Sequence, residues 1–319
     1  MAKYLAKRFL RSFLTLFIIL SIVFILVRQM PIEGYFPGIE KMSEEQIANG
    51  LRNLGLDKPI LVQLFEFFTG LITRGDLGTS HVYRTNVPVW EIIAPKLPIS
   101  IKLGSLSLIF SLLVGLPMGT LMAKYKDGFV DHLGTAFIVL VEAVPAAVYY
   151  LFIQFYGTSA LGITMTVMDA SKDLARPIFW VLPVVCMSLG NIAYYAMWLR
   201  RYMVDESKKD YVMLARIKGA SETQIMFQHV FRNAFVPMAQ YLPTSFLNTV
   251  IGSIYVESLF GIPGMGGLLV DVVKKQDNAM VQGIVLLFAC VGVIGLLLGD
   301  LLMVALDPRI SLTKKGGDR

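Results

Sequence analysis

Residues 207–221 read SKKDYVMLARIKGAS and interrupt a chain that is otherwise strongly apolar. Ser207 followed by Asp210 predicts the start of one helix, and Gly219 predicts a left-handed helix end. Ser221 followed by Gln224 has the spacing of a capping box, which predicts the start of a second helix. The stretch therefore indicates a basic helix–turn–helix, over residues 207–235, between two apolar runs.

The second helix of this insert has an apolar face. Its apolar positions recur at helical spacing and are Met226, Phe227, Val230, Phe231, Ala234 and Phe235. A basic amphipathic helix of this kind fits the inner leaflet of a membrane, and it fits a groove on a cytoplasmic protein equally well. Spacing alone leaves both interpretations open.

The overall composition indicates a membrane protein. Of the 319 residues, 55% are hydrophobic and only 16% are charged, and the mean hydropathy is +0.63. A soluble domain of this length could not bury so much apolar surface. The net charge of +6 does not indicate nucleic-acid binding, because the basic residues lie at the ends of apolar runs.

Six apolar runs are long enough to cross the bilayer, which takes about 20 residues each. Their approximate limits are 9–28, 98–122, 133–156, 177–199, 236–258 and 281–305. The first run continues into RQMP at 28–31 instead of a small-residue cleavage site, so we expect an uncleaved helix rather than a signal peptide. The predicted fold class is all-α, a polytopic membrane protein with six transmembrane helices.

The distribution of basic residues predicts the orientation of these helices. Lysine and arginine are concentrated in alternate connections, and the group around residues 200–232 is the largest. The rule that basic loops stay inside therefore places both termini in the cytoplasm. We expect an N-terminal helix (1–28), an extracytoplasmic segment (29–97), a core of five helices (98–305, with an insert at 200–235) and a cytoplasmic tail (306–319).

The extracytoplasmic segment is too poor in apolar residues to form its own core. Its residues 43–46, SEEQ, are a capping-box pattern and predict a short helix ending at Gly50 or Gly55. We expect this segment to lie as short helices on the outer membrane face or on a partner protein.

The stretch DYVMLARIKGAS (210–221) resembles the cytoplasmic coupling motif of ABC-importer permease subunits. Four further stretches resemble the subfamily that transports oligopeptides, dipeptides and nickel. They are LGLDKPILVQ (54–63), GDLGTS (75–80), VESLFGIPGMGGLLVDVV (256–273) and LDPRI (306–310). The resemblance covers most of the chain in order. It implies the type I ABC importer permease fold and a bacterial or archaeal cytoplasmic membrane.

This resemblance also implies a function and a set of partners. The chain would import oligopeptides or dipeptides together with a second homologous permease subunit, two cytoplasmic ABC ATPase subunits and an extracytoplasmic peptide-binding protein. Docking on the ATPase is expected from Asp210, Tyr211, Leu214, Ala215, Ile217, Gly219, Ala220 and Ser221. The chain has no phosphate-binding loop, so ATP and Mg would be bound by the ATPase subunits and no cofactor by this chain.

Polar residues in or near the spans are candidates for a translocation path or gate. They are Glu142, Asn191, Asn248 and Glu257, of which Glu142 stands out because a carboxylate within a span is costly. The loop GIPGMGG, with Gly261, Pro263, Gly264 and Gly266, could shape an outer gate, receive the binding protein or form a plain surface turn. The histidines have no ligand-spaced neighbours, so we expect no metal site.

An ATP-independent channel or secondary transporter is the alternative function. In that case GIPGMGG would act as a filter-like loop and Glu142 as a proton site. Uptake that persists without ATPase subunits would favour this alternative.

Overall fold

The computed structural model describes residues 2–36, 38–252 and 254–306, and its side chains are described from residue 7, except at 248–252 and 303–306. The first helices are α1 (Ala2–Arg28), α2 (Glu44–Asn53), α3 (Ile60–Arg74), α4 (Val89–Ile93), α5 (Leu97–Lys124), α6 (Phe129–Ala143), α7 (Ala146–Leu161) and α8 (Ala170–Asp173). They are followed by α9 (Ile178–Glu206), α10 (Asp210–Ile217), α11 (Glu222–Gln224), α12 (Arg232–Ala239), α13 (Tyr241–Gly252), α14 (Ile254–Phe260), α15 (Met265–Lys274) and α16 (Asn278–Leu306).

Short elements connect these helices. They are 3₁₀ turns at Ile32–Tyr35 and Ile39–Lys41, a π-helical stretch at Ile225–Phe231, and strands β1 (Thr79–Ser80) and β2 (Val87–Pro88). The two strands pair antiparallel, with Thr79 opposite Pro88. The prediction of an all-α protein is confirmed, since these two-residue strands are the only strands in the part of the chain that the structure describes.

The chain forms two compact units. Of the described residues, those up to Ile99 and Pro263–Ile294 form the first, and Ser100–Ile262 and the residues from Gly295 onward form the second. Four helices of the described residues are long and apolar enough to cross a membrane: Lys7–Arg28, Leu97–Lys124, Ile178–Glu206 and Asn278–Leu302. Two bent helix pairs raise the number of candidate spans to six if each pair is one span.

The predicted third span, 133–156, is not one continuous helix. Helices α6 and α7 meet at an angle of 102°. Val144 has extended backbone angles, and Pro145 precedes the first residue of α7. Proline lacks the N–H that would continue the hydrogen-bond ladder and disfavours helical angles in the residue before it, so the helix ends there.

The predicted fifth span, 236–258, is also divided. Its described residues belong to three successive helices, α12, α13 and α14.

The π-helical stretch before α12 adds one residue per turn locally, which rotates the apolar face relative to a regular helix. The predicted apolar face of the insert is accordingly split, because Val230 and Ala234 are buried whereas Phe227 is exposed.

Helices α5 and α9 of the second unit pack closely through small residues. A Cβ atom added at Gly119 would lie 2.6 Å from the carbonyl oxygen of Ala196, and one at Gly115 would lie 3.1 Å from that of Ile192. Glycines four residues apart let two membrane helices approach backbone to backbone. This contact places α9, which continues to the basic insert, directly against α5.

We expect Gly119→Ala to lower the free energy of unfolding by about 1 kcal/mol, because the new methyl group must push the two helices apart. Unfolding of the purified chain in detergent measures the change. Gly190→Ala is the matched control, since within the described structure a Cβ there meets no atom within 4 Å. An unchanged stability for Gly119→Ala would contradict the close contact.

An ion pair joins α6 to α9 within the second unit. Arg200 Nε lies 2.5 Å from Asp131 Oδ1, and Arg200 Nη2 lies 2.5 Å from Asp131 Oδ2. Asp131 also accepts a hydrogen bond from the backbone N–H of Asp127 at 2.9 Å. A bidentate ion pair of this kind fixes the relative orientation of the two helices.

A buried carboxylate organises the first unit. Asp277, with no exposed surface, precedes α16 and accepts a hydrogen bond from the backbone N–H of Met280 at 3.1 Å, as a helix cap does. Its Oδ2 atom accepts from Ser80 Oγ at 2.7 Å. The same oxygen accepts from the backbone N–H groups of residues 81, 82 and 83 at 3.1, 2.9 and 2.8 Å. Asp277 therefore ties the β1–β2 hairpin to the start of α16.

Candidate functional site

The basic insert forms a helical hairpin that packs against the end of α9. Gly219 has a φ of +86° and makes the predicted left-handed turn after α10. The predicted capping box is also present, since Gln224 N–H donates to Ser221 Oγ at 3.3 Å and Ser221 N–H donates to Gln224 Oε1 at 3.1 Å. Arg216 spans the turn with a two-pronged ion pair to Glu222, at 2.6 and 2.9 Å.

One predicted boundary of the hairpin is wrong. Ser207 does not begin α10, because its N–H donates to the carbonyl of Met203 at 2.9 Å and it caps the C-terminus of α9. Helix α9 is therefore longer than the predicted span. Helix α10 starts at Asp210 after Lys209, whose side chain makes no cap hydrogen bond. Asp210 lies in the first turn, where a carboxylate interacts favourably with the helix dipole.

The inner face of the hairpin belongs to a continuous apolar core. This core contains Tyr195, Leu199, Met203, Val212, Ala215, Ile225, Val230, Ala234 and Met238. Val212 and Ala215 come from α10, and Leu199 and Met203 come from the last turns of α9. The hairpin and α9 consequently share one packed core.

Tyr211 adds polar contacts to this core. Its hydroxyl donates to Glu206 Oε1 at 2.6 Å and accepts from Asn233 Nδ2 at 2.9 Å. Burial, together with the hydrogen bond to Glu206, raises the pKa of Tyr211 to about 12. The phenol therefore stays protonated at physiological pH and keeps donating to Glu206.

Four large apolar side chains of the hairpin are exposed. The exposed fractions are 63% for Met213, 51% for Leu214, 77% for Ile217 and 57% for Phe227. We call these four residues the hairpin face. Ala220 is half-buried, and Ser221 is exposed beside the turn.

The structure thus divides the predicted docking residues. Leu214 and Ile217 are available to another molecule, whereas Ala215 is buried and the Tyr211 hydroxyl is engaged within the hairpin. Sequence reasoning placed Phe227 on the apolar face of the second helix but included neither Phe227 nor Met213 among the docking residues, although both are large apolar residues in an otherwise charged segment. Helical spacing alone could not show which side of α10 faces the core.

The predicted gate residues occupy different environments. Glu142 is exposed at the break between α6 and α7, and half-buried Asn191 lies on α9. Glu257 on α14 is fully buried and accepts a hydrogen bond from Ser100 Oγ of α5 at 2.6 Å. The side chain of Asn248 lies outside the described residues. No contact that we describe brings these residues into one site.

The predicted outer loop starts at a second left-handed glycine. Gly261 has a φ of +66°, and a Cβ there would lie 3.2 Å from the side chain of Thr166. Gln154 Nε2 supports the preceding turn by donating to the carbonyls of Leu259 at 2.6 Å and Met165 at 3.0 Å. Farther along the loop, Pro263 is half-buried. Gly264 caps α15, and Gly266 is buried in the first turn of that helix.

Two family profiles match this chain. The profile described as "Binding-protein-dependent transport system inner membrane component" matches residues 115–312. The profile for the N-terminal part, "Binding-prot-dependent transport system membrane comp, N-term", matches residues 1–104.

Curated relatives agree with these profiles. The "Dipeptide transport system permease protein DppB" of Lactococcus lactis subsp. cremoris is 31% identical over 318 residues, which is 98% of this chain and 100% of that protein. The "Oligopeptide transport system permease protein AmiC" of Streptococcus pneumoniae is 36% identical over 215 residues, or 67% of this chain. That match covers 42% of AmiC, so this chain spans less than half the length of that relative.

Solved structures share the fold. A structure described as "Inward facing conformations of the MetNI methionine ABC transporter" superposes with a TM-score of 0.55 at 13% identity. The superposition covers 68% of this chain and 96% of that one. The type I importer permease fold predicted from the resemblance is confirmed, with the helix breaks described above.

Proposed function

We infer, since this chain belongs to the family of binding-protein-dependent transport system inner membrane components, that it is the membrane-spanning permease subunit of an ATP-driven importer. It works with a second permease subunit, two ABC ATPase subunits and an extracytoplasmic binding protein. ATP and Mg bind to the ATPase subunits, and this chain has no hydrolytic site of its own. Oligopeptides or dipeptides are the proposed cargo, because the relatives DppB and AmiC carry those substrates in their names.

The main evidence for a coupling role is that the four residues of the hairpin face are exposed. Met213, Leu214, Ile217 and Phe227 expose half or more of their surface. Each apolar side chain of this size gains about 1.5–3 kcal/mol when it is fully buried against a partner. An apolar patch on an otherwise basic segment is typical of a helix that docks in a groove of another protein.

The hairpin is also suited to transmit motion. Gly219 and the Arg216–Glu222 pair define the turn, and the shared core joins α10 to the end of α9. Closure of the ATPase pair would displace α10 and, through this core, α9. Helix α9 would then tilt against α5 and change access to the path between the permease subunits.

For the predicted gate residues we propose two different roles. Glu257 fixes α14 to α5 through Ser100, because a buried carboxylate that receives a short hydrogen bond contributes to a defined helix arrangement. Glu142, exposed at a sharp helix break, is the residue that we propose lines the path. Irregular backbone within a membrane protein is tolerated where it lines a polar cavity or is covered by protein.

Ile217→Asp tests the docking role. We expect ATP-driven uptake by the reconstituted complex, and co-purification of the ATPase subunits, to fall by about tenfold or more, because the new carboxylate cannot enter an apolar groove. Thr223→Asp is the matched control, an exposed position in the same hairpin outside the hairpin face, and it should leave both measurements unchanged.

Two results would contradict the proposal. Full uptake by Ile217→Asp would show that the hairpin face does not dock on the ATPase subunits. Uptake of substrate by the permease subunits in the absence of the ATPase subunits would instead favour the channel or secondary transporter.

A further inference from the structure

Helix α3 packs against the middle of the first transmembrane helix. The rings of Phe68 and Phe17 stack with centroids 4.7 Å apart, and those of Phe67 and Phe24 lie 5.1 Å apart. The two α3 rings also contact each other edge to face at 5.4 Å. These aromatic contacts hold α3 against one stretch of α1, between Phe17 and Phe24.

This stretch of α1 runs from the middle of the candidate span Lys7–Arg28 toward its C-terminal end. At 1.5 Å per residue, Phe24 is about 6 Å and Phe17 about 16 Å from Arg28, the end of the candidate span. The hydrocarbon core is about 30 Å thick, so Phe17 lies near its centre. The depth is the same for either orientation of α1, because the midpoint of a span does not depend on its direction.

The remaining surface of α3 is apolar and open. Leu61, Phe65 and Ile72 are 73%, 72% and 75% exposed. On α1, Phe13, Leu14, Ile18, Ile22 and Leu26 are also exposed. Since α3 is 15 residues long, it measures about 22 Å and is too short to cross the membrane.

Three polar side chains of α3, those of Thr69, Thr73 and Glu66, have partners close to them in the chain. The hydroxyls of Thr69 and Thr73 donate to backbone carbonyls four residues earlier, at 2.8 and 2.6 Å. Glu66 is paired with Lys58, whose Nζ lies 2.5 Å from Glu66 Oε1. Hydroxyls satisfied by the helix backbone and paired charges are the forms in which such groups are tolerated at membrane depth.

We propose that α3 is a non-spanning membrane helix, attached to the first span, and that Leu61, Phe65 and Ile72 contact phospholipid acyl chains. The occupant is lipid because the contacts of Phe68 with Phe17 and of Phe67 with Phe24 hold α3 against a stretch of α1 that, in a spanning helix, lies within the hydrocarbon. Helix α3 thus anchors the predicted extracytoplasmic segment at a fixed depth, whereas the sequence indicated that this segment lies on the membrane face or on a partner.

Photo-crosslinking in the complete importer tests this proposal. Phe65 is replaced by p-benzoylphenylalanine, a conservative change at an exposed aromatic position, and the complex is irradiated in phosphatidylethanolamine–phosphatidylglycerol nanodiscs. We expect a phospholipid adduct as abundant as that from the same residue placed at Leu26 on α1. The same residue placed at Glu45, exposed on α2, is the control and should give no lipid adduct.

Two outcomes would overturn the proposal. A crosslink from position 65 to another subunit would identify a protein as the occupant, and the absence of any adduct would place α3 in water. Leu61 provides a second position if the variant at 65 does not assemble, since its side chain is equally exposed.

Discussion

Asp277→Ala is expected to lower the free energy of unfolding by about 4 kcal/mol or more, because several donors lose their only described acceptor at once and each unsatisfied buried donor costs about 1–3 kcal/mol. The affected donors are the Ser80 hydroxyl and the backbone N–H groups of residues 81, 82, 83 and 280. Ser80 and Met280 are fully buried, and residues 81–83 are half-buried, so water can replace the lost acceptor only in part. Thermal unfolding of the purified chain in detergent measures the loss.

The position also offers a graded comparison. Asp277→Asn retains one side-chain oxygen but loses the charge, and its NH₂ group replaces an oxygen that accepts hydrogen bonds in the wild type. The stability of this variant should therefore lie between those of the wild type and Asp277→Ala. Asp271→Ala, an exposed carboxylate on α15, is the matched control and should be neutral. Equal stabilities for Asp277→Ala and Asp271→Ala would refute the structural role of this carboxylate.

Gly219→Val should uncouple ATP hydrolysis from uptake. At a φ of +86° a β-branched residue is strongly disfavoured, and we expect a strain of about 2 kcal/mol. This strain favours hairpin conformations in which residue 219 does not adopt the left-handed turn. The population of the docking geometry would fall by about thirtyfold as a result. The expected result is a matching loss of uptake by the reconstituted importer, measured together with its ATPase rate.

Gly219→Asn separates backbone strain from side-chain size. Within the described structure a Cβ at Gly219 meets no atom beyond its chain neighbours within 4 Å, so contact of the new Cβ with the rest of the hairpin does not explain a defect. Asparagine adopts left-handed angles more readily than other non-glycine residues and should retain most of the uptake. If both variants transported equally well, the left-handed turn would have no part in coupling.

Local signals predicted the local structure of the hairpin. The Ser221–Gln224 capping box and the left-handed Gly219 depend on residues within one or two turns of each other, so short-range spacing was sufficient. The boundary at Ser207 was wrong because serine is also acceptable at a helix end, and packing of α9 on the insert extended that helix by two turns. Long-range packing decided a boundary that local spacing left open.

The predicted single span over 133–156 is broken at Pro145. The sequence identifies a proline within an apolar run and hence a weak point in the hydrogen-bond ladder. It does not specify the angle, because a kink of a few degrees and a turn of 102° both leave the same backbone groups unpaired. The surrounding helices determine how far the chain turns.

The amino-acid sequence by itself determined the membrane class, the approximate spans, the helical hairpin and the resemblance to importer permeases, because hydrophobicity, capping and motif order are properties of short stretches. Only the tertiary structure decided that Leu214 faces outward while Ala215 faces the core, that Asp277 holds Ser80 from 197 residues away, and that α3 packs on the middle of α1. These features depend on which distant surfaces meet, and the free energy of such contacts is realised only once the helices are packed together.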